Sequence, residues 1–127
     1  EVSEINRLML SESDVISFHS YFTADRVAAR IEELRSYGRP ILLTEYLARN
    51  TGSTLETILP LLKDQHVGAF NWGLVSGKTQ TVYPWDSWVR PYSAEPDPWF
   101  HDILRPDGTP YRDEETKFLQ QLTGHGN

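Results

Sequence analysis

Three apolar runs rich in β-branched and aromatic residues recur along the chain at a nearly fixed interval, and that interval constrains the fold more than any other feature. "DVISFHSY" (14–21), "PILLTEY" (40–46) and "VGAFNW" (67–72) begin roughly 26 residues apart, the length of one strand–helix unit. Between the first two, Val27, Ile31 and Leu34 recur at helical spacing, Thr23 can cap the start, and Gly38 and Pro40 supply the stop. Between the second and third, Ser53 and Glu56 fit a capping box ahead of an apolar stripe of Leu55, Ile58, Leu59 and Leu62. Pro60 lies inside that stripe and predicts a kinked or shortened helix. A helix through Val2, Ile5, Leu8 and Met9 leads into the first run, and another from Asp113 through Phe118, Leu119 and Leu122 to Gly124 has both ends marked. Strands alternating with helices, joined by right-handed crossovers, imply an α/β fold with a parallel sheet.

Three strands suit a small doubly wound sheet or the last three units of an eight-unit barrel. A whole barrel takes about 250 residues, and the chain has 127. That length fits a single domain with a moderate core. From Gly73 to Arg112 the periodicity stops, and this stretch holds six of the eight prolines. A loop region of that length is either functional or a Pro-rich excursion packed over the end of the sheet. Tyr83, Trp85, Trp88, Tyr92 and Trp99 fall within it; they suit either a platform for flat ligands or a clamp that holds the loop down. Lys78, in "SGKT", could meet a hydroxyl or an acid, but "GLVSGKT" lacks the leading glycine spacing of a phosphate loop and opens no helix.

Charge and composition exclude several classes. The net charge of -6 provides no general attraction to a phosphate backbone or an anionic membrane surface, so neither nucleic acid nor membrane is an expected partner. No run of about 18 apolar residues is present, and "EVSEINRLML" has neither the basic nor the apolar region of a signal peptide, although a removed leader would leave no trace. The absence of cysteine excludes disulfides, thiolate metal sites and cysteine nucleophiles. His66, His101 and His125 have no partner at metal-ligand spacing, and no cofactor is expected.

The chemistry gathers at the ends of the strands. Strict alternation puts Ser17, His19 and Tyr21 on one face of the first strand, and Ile41, Leu43 and Glu45 on one face of the second. Glu45 thus reaches the C-terminal tip, where parallel α/β proteins place their ligands. The third strand ends in "FNWG", with Phe70 and Trp72 on one face. A carboxylate, polar donors to hold it ionised, and an aromatic plate for an apolar sugar face together suit a glycosidase subsite. A bland alternative for Glu45 is an ion pair with Arg49 or Arg39, and for His19, Tyr21 and Trp72 a place in the core.

"FHSY", "RPILLTEY" and "GAFNWGLVSGKTQTVYPWDSW", continuing through "WFHDILRPDGTPYRDEE", resemble strands six, seven and eight of a clan A glycoside hydrolase, the cellulase-like (β/α)8 barrels of family 5 and its relatives, among them bacterial 1,4-β-xylanases and cellulases. The resemblance covers nearly the whole chain. It implies the C-terminal part of a TIM barrel, strands six to eight with their helices, as one partial domain over residues 1–127. It implies that Glu45 is the nucleophile of a retaining hydrolase, that His19 and Tyr21 flank it and the sugar, and that Trp72 is the floor of the sugar subsite. The substrate would be a β-linked oligo- or polysaccharide of the glucan or xylan class, and the setting secreted or periplasmic. The family's acid/base is a glutamate after an asparagine at the end of strand four, and no Asn-Glu pair occurs in this sequence. The expected partner is therefore the N-terminal half-barrel, or a second copy of the chain, and little activity is expected of the 127 residues alone. A non-catalytic carbohydrate-binding or assembly module is the alternative.

Overall fold

The structure, a computed structural model, describes residues 3–124. Four helices and a small parallel sheet form a mixed α/β fold, in the order α1 (Glu4–Glu12), β1 (Ile16–His19), α2 (Ala24–Arg35), β2 (Ile41–Glu45), α3 (Leu55–Asp64), β3 (Gly68–Ala69) and α4 (Asp113–Thr123). The sheet order is β1-β2-β3, with both pairings parallel. Val2 and His125 lie outside the described residues.

The helices form where apolar spacing and capping agree. α2 buries Val27, Ile31 and Leu34 along one stripe, and Gly38, at φ 63, reverses the chain before Pro40 as expected. Thr23 occupies the N-cap, but its hydroxyl turns to Asp25 rather than to the helix backbone. The capping box of α3 lies one residue beyond the expected Ser53 and Glu56: Thr54 caps the helix and Thr57 returns the bond to the Thr54 amide. Ser53 instead is fully buried, its hydroxyl accepting from the Leu47 amide at 3.3 Å. Pro60 does not end α3, which continues to Asp64; with Leu55, Ile58 and Leu62 all buried, packing outweighs the one backbone bond that proline removes.

The core fills the space between one face of the sheet and α2 and α3. Ile16, Ile41 and Leu43 meet Val27, Ile31, Leu34, Ile58 and Leu62, with Ile103 joining from the loop region. Each such side chain contributes roughly 1.5–3 kcal/mol by leaving water. The opposite face is bare: Ser17 and His19 are exposed and Leu42 half-buried. α1 adds little, with no buried residue and with Ile5, Leu8 and Met9 at least 60% exposed.

The strands are shorter than the runs that predict them, above all β3, which is regular only at Gly68–Ala69. Beyond it the chain still follows β2 through single bonds, from the Phe70 amide to the Leu43 carbonyl and from the Trp72 amide to the Tyr46 carbonyl, both 2.9 Å. Between β1 and β2 the register slips: Phe18 pairs with Leu43, but His19 pairs with Glu45. Thr44 is the extra residue, and its hydroxyl bonds back to the Phe18 carbonyl at 3.3 Å. This bulge corrects the expectation that Glu45 shares a face with Ile41 and Leu43. Those two point into the core, whereas the extra residue rotates Glu45 onto the open face beside His19.

Candidate functional site

The slip at Thr44 brings three polar side chains together at the tips of β1 and β2. The Tyr21 hydroxyl donates to Glu45 Oε2 at 2.7 Å, and His19 Nδ1 lies 3.2 Å from the same oxygen. Burial, reinforced by the hydrogen bond and charge of Glu45, pushes the Tyr21 phenol well above its ordinary value, so Tyr21 remains a donor. Both contacts fall on Oε2; Oε1 makes no hydrogen bond among the described residues. With its side chain 23% exposed, Glu45 is a carboxylate fixed through one oxygen and open at the other.

Directly after Glu45 the backbone turns sharply. Leu47 has φ 77, a left-handed conformation that costs a branched residue of order 1 kcal/mol or more, and its side chain is fully buried. The strain is held on both sides: the amide donates to Ser53 Oγ, and the carbonyl accepts from His101 Nδ1. A carbonyl only accepts, so Nδ1 carries the proton. Burial pulls the His101 pKa below its usual value, which keeps the ring neutral near pH 7, with Nε2 as an acceptor.

His101 belongs to a segment, Trp99–Asp102, that one guanidinium anchors. Arg49 is buried and uses all five of its donors: two form a bidentate pair with Glu115 of α4, at 2.7 and 2.6 Å, and three go to the carbonyls of Trp99, His101 and Asp102, at 3.0, 3.2 and 3.0 Å. Arg49 is therefore not the partner of Glu45. Its own amide binds the Phe100 carbonyl at 3.0 Å, so the segment meets it at backbone and side chain alike.

Tyr21 links the carboxylate to a cavity of about 970 Å³ alongside. Its ring meets Trp85 edge-on at 5.1 Å and His101 at 5.5 Å, and both of those residues line the cavity. Trp72 lies on the cavity wall, 44% exposed, rather than in hydrogen-bond contact with Glu45. The five loop aromatics divide between the two roles open to them. Trp99 is a clamp, buried and stacked flat on Tyr111 at 4.3 Å. Tyr83, Trp85, Trp88 and Tyr92 face the cavity. Lys78 does not line it.

No family model, curated protein or solved structure matches the chain. The site is accordingly read from its own chemistry. Of the residues singled out from the sequence, His19, Tyr21 and Glu45 come together, and Trp72 stands at the adjoining wall. Sequence reasoning missed His101, Asp102, Arg49 and Glu115 as members of the site. Arg49 and Glu115 are 66 residues apart and His101 and Leu47 are 54 apart, separations at which no local period can signal a contact. Among the described residues no cluster of three or more metal-ligating side chains occurs, and no helix is long and apolar enough to cross a membrane.

Proposed function

We propose that the chain is the C-terminal part of a retaining β-glycoside hydrolase barrel, acting on β-linked polysaccharide of the glucan or xylan class, with Glu45 as the nucleophile. The observation that carries this reading is the asymmetry of the Glu45 carboxylate: Tyr21 and His19 bind Oε2, while Oε1 has no hydrogen-bond partner among the described residues. In a displacement at an anomeric carbon, Oε1 forms the new bond and the glycosidic oxygen leaves with the bonding electrons. Tyr21 and His19 hold the carboxylate in line for attack, and Trp72 offers an aromatic face nearby. The leaving oxygen needs a proton from a second carboxylic acid about 5–5.5 Å from the first, which this reading assigns to an N-terminal half-barrel. The bare face of the sheet supports it, since a parallel sheet is ordinarily covered on both sides.

A substrate whose leaving group needs no proton isolates the half of the chemistry assigned to Glu45. A 2,4-dinitrophenyl β-cellobioside or β-xylobioside carrying fluorine at C2 should transfer its sugar to Glu45 and release dinitrophenolate, giving a stable ester found by mass spectrometry of the peptide 40–49. Glu45→Gln should take up no label, and Tyr21→Phe should label roughly 10-fold to 100-fold more slowly, from the loss of about 1.5–3 kcal/mol in a hydrogen bond to a charged group. Label on any other carboxylate would sink the assignment.

A non-catalytic carbohydrate-binding or assembly module is the second reading, favoured by the exposed apolar residues Ile5, Leu8 and Met9 of α1 together with the uncovered sheet face. It predicts sugar binding by a self-associated chain with no covalent label, which the solution mass and the same labelling experiment would register.

A further inference from the structure

Glu45 stands where β2 leaves the sheet, and its aim depends on how the chain is held just beyond it. Three successive carbonyls there accept hydrogen bonds. The Glu45 carbonyl takes the Ser20 amide and the Tyr46 carbonyl takes the Trp72 amide, both at 2.9 Å, so the segments on either side hold them as a sheet would. The Leu47 carbonyl is turned out of that pattern by the left-handed backbone at φ 77, and no backbone amide among the described residues reaches it. Its donor is a side chain, His101 Nδ1. Where the sheet-like pairing ends, one imidazole takes over.

His101 is itself closely fixed. Its amide donates to the Thr81 carbonyl and its own carbonyl accepts from Arg49, both at 3.2 Å. Only 2% exposed, the residue has its ring wedged against those of Phe100, Tyr21 and Trp85, with centroids 4.5, 5.5 and 5.9 Å away. The Tyr21 contact matters because the Tyr21 hydroxyl is the donor to Glu45 Oε2. His101 thus meets both supports of the carboxylate, the backbone two residues beyond it and the ring that fixes one of its oxygens, without a hydrogen bond to Glu45 itself among the described residues.

A left-handed leucine is disfavoured in any sequence, so this turn persists only where its surroundings hold it. Ser53 holds the amide and His101 the carbonyl. Without the imidazole the Leu47 carbonyl, in a fully buried residue, has no donor. Relaxation of φ towards negative values would then satisfy it elsewhere and re-aim the chain back through Tyr46 to Glu45. Misplacement of a reacting group by about 1 Å can cost on the order of 100-fold in rate. We propose that His101 is a positioning residue for Glu45, acting through the Leu47 carbonyl to keep Oε1 in line for attack. The inference rests on the reading of Glu45 as a nucleophile and extends it to a side chain that does not touch the reacting atoms.

Two substitutions separate the hydrogen bond from the packing. In His101→Asn the side-chain amide nitrogen falls where Nδ1 stood and the ring is lost; in His101→Phe the ring stays and the donor is lost. In the full chain, with native dichroism confirmed, His101→Phe should lower the limiting rate of Glu45 labelling by the 2-fluoro dinitrophenyl glycosides about 10-fold, leaving the half-saturating concentration within about 2-fold, whereas His101→Asn should label within about 3-fold of the native rate. Should His101→Phe not fold, His101→Gln, whose amide lies one carbon further out and misses the Leu47 carbonyl, replaces it with the same expectation. A second readout does not depend on reactivity: the Tyr21 Cζ resonance of 13C-tyrosine-labelled chain, assigned with Tyr21→Phe, should move in His101→Phe and return in His101→Asn. Native labelling by both variants, slower labelling by His101→Asn than by His101→Phe, or a raised half-saturating concentration at an unchanged limiting rate would each overturn the proposal; the second would assign His101 to packing and the third to substrate contact. If the native chain takes no label, the hydrolase reading falls and the Tyr21 resonance decides this inference alone: movement and return keep His101 as the group that positions the Glu45 carboxylate, and a resonance fixed in both variants removes it.

Discussion

From Ile16 to Ala69 the chain is held by aliphatic side chains at regular intervals, closing one sheet face against α2 and α3. From Gly73 to Arg112 it has one short 3-10 turn, at Trp85–Trp88, and is tied down by other means: the Arg49 guanidinium, the flat stack of Trp99 on Tyr111, and scattered backbone bonds such as Phe100 to Val82 at 2.8 Å. The first region positions Glu45, and the second supplies the cavity. A layer stabilised by many interchangeable apolar contacts tolerates the loss of one, whereas a shell anchored at a few polar points depends on each of them. All four tryptophans, at positions 72, 85, 88 and 99, lie beyond the β/α layer, so tryptophan fluorescence reports on the shell and far-ultraviolet dichroism mainly on the helices.

The sharpest way to break this contrast is Arg49→Met. The substitution leaves the Glu115 carboxylate buried without its partner and three carbonyls without donors, at a cost of roughly 3–5 kcal/mol. In urea the fluorescence transition should move to lower concentration ahead of the dichroism transition. Coincident transitions would mean that layer and shell form one cooperative unit and that the contrast is only one of composition. Leu43→Ala should cost about 2–5 kcal/mol by opening a cavity in the shared core, and should move both signals together. A separation of the two in this variant would show the layer to be the less cooperative part.

The same contrast explains what the sequence made legible. α2 was readable because its apolar spacing, its start and its Gly38–Pro40 stop all lie within one short segment. The gathering of His19, Tyr21 and Glu45 was also readable, since each sits at a strand end and parallel strands align their tips. The face on which Glu45 sits was not: alternation assigns it to the Leu43 side, and the bulge at Thr44 carries no local signature in "LLTEY". Arg49 lies four residues from Glu45, a spacing that suits an ion pair, yet it turns to a carboxylate 66 residues away. His101 and Asp102 were invisible for the same reason, because tertiary closure of the shell, not spacing, makes them neighbours of the site.

Within the layer, Thr54→Ala should cost about 1 kcal/mol. It removes the N-cap acceptor of α3, 3.3 Å from the Thr57 amide, but leaves the buried stripe in place. The melting temperature should fall by a few degrees with no separation of the two transitions, since a cap loosens one helix end without unpinning the shell. If the capping box stood at Ser53 and Glu56 instead, Glu56→Ala would have the comparable effect; with Glu56 exposed and outside the box, it should have almost none.

The smallest effect, and the one that discriminates best, concerns pH. His101 faces Glu45, Asp102 and Arg49, and burial outweighs the neighbouring acids to lower its pKa below the ordinary value of 6.5. The unfolded chain therefore takes up a proton at higher pH than the folded one. The stabilisation associated with a neutral His101 is complete above pH 6.5 and is lost as the pH falls from there towards the lowered folded value. Protonation leaves the Nδ1 bond to the Leu47 carbonyl intact but places a charge in the wall of the shell. Between pH 7.5 and 5.5 the native chain should lose more stability than His101→Asn, measured as the difference in urea midpoint at each pH, and the loss should show first in fluorescence. Parallel pH profiles for the two proteins would mean that His101 does not couple protonation to the shell, and that the turn at Leu47 is held by Ser53 and its own burial alone.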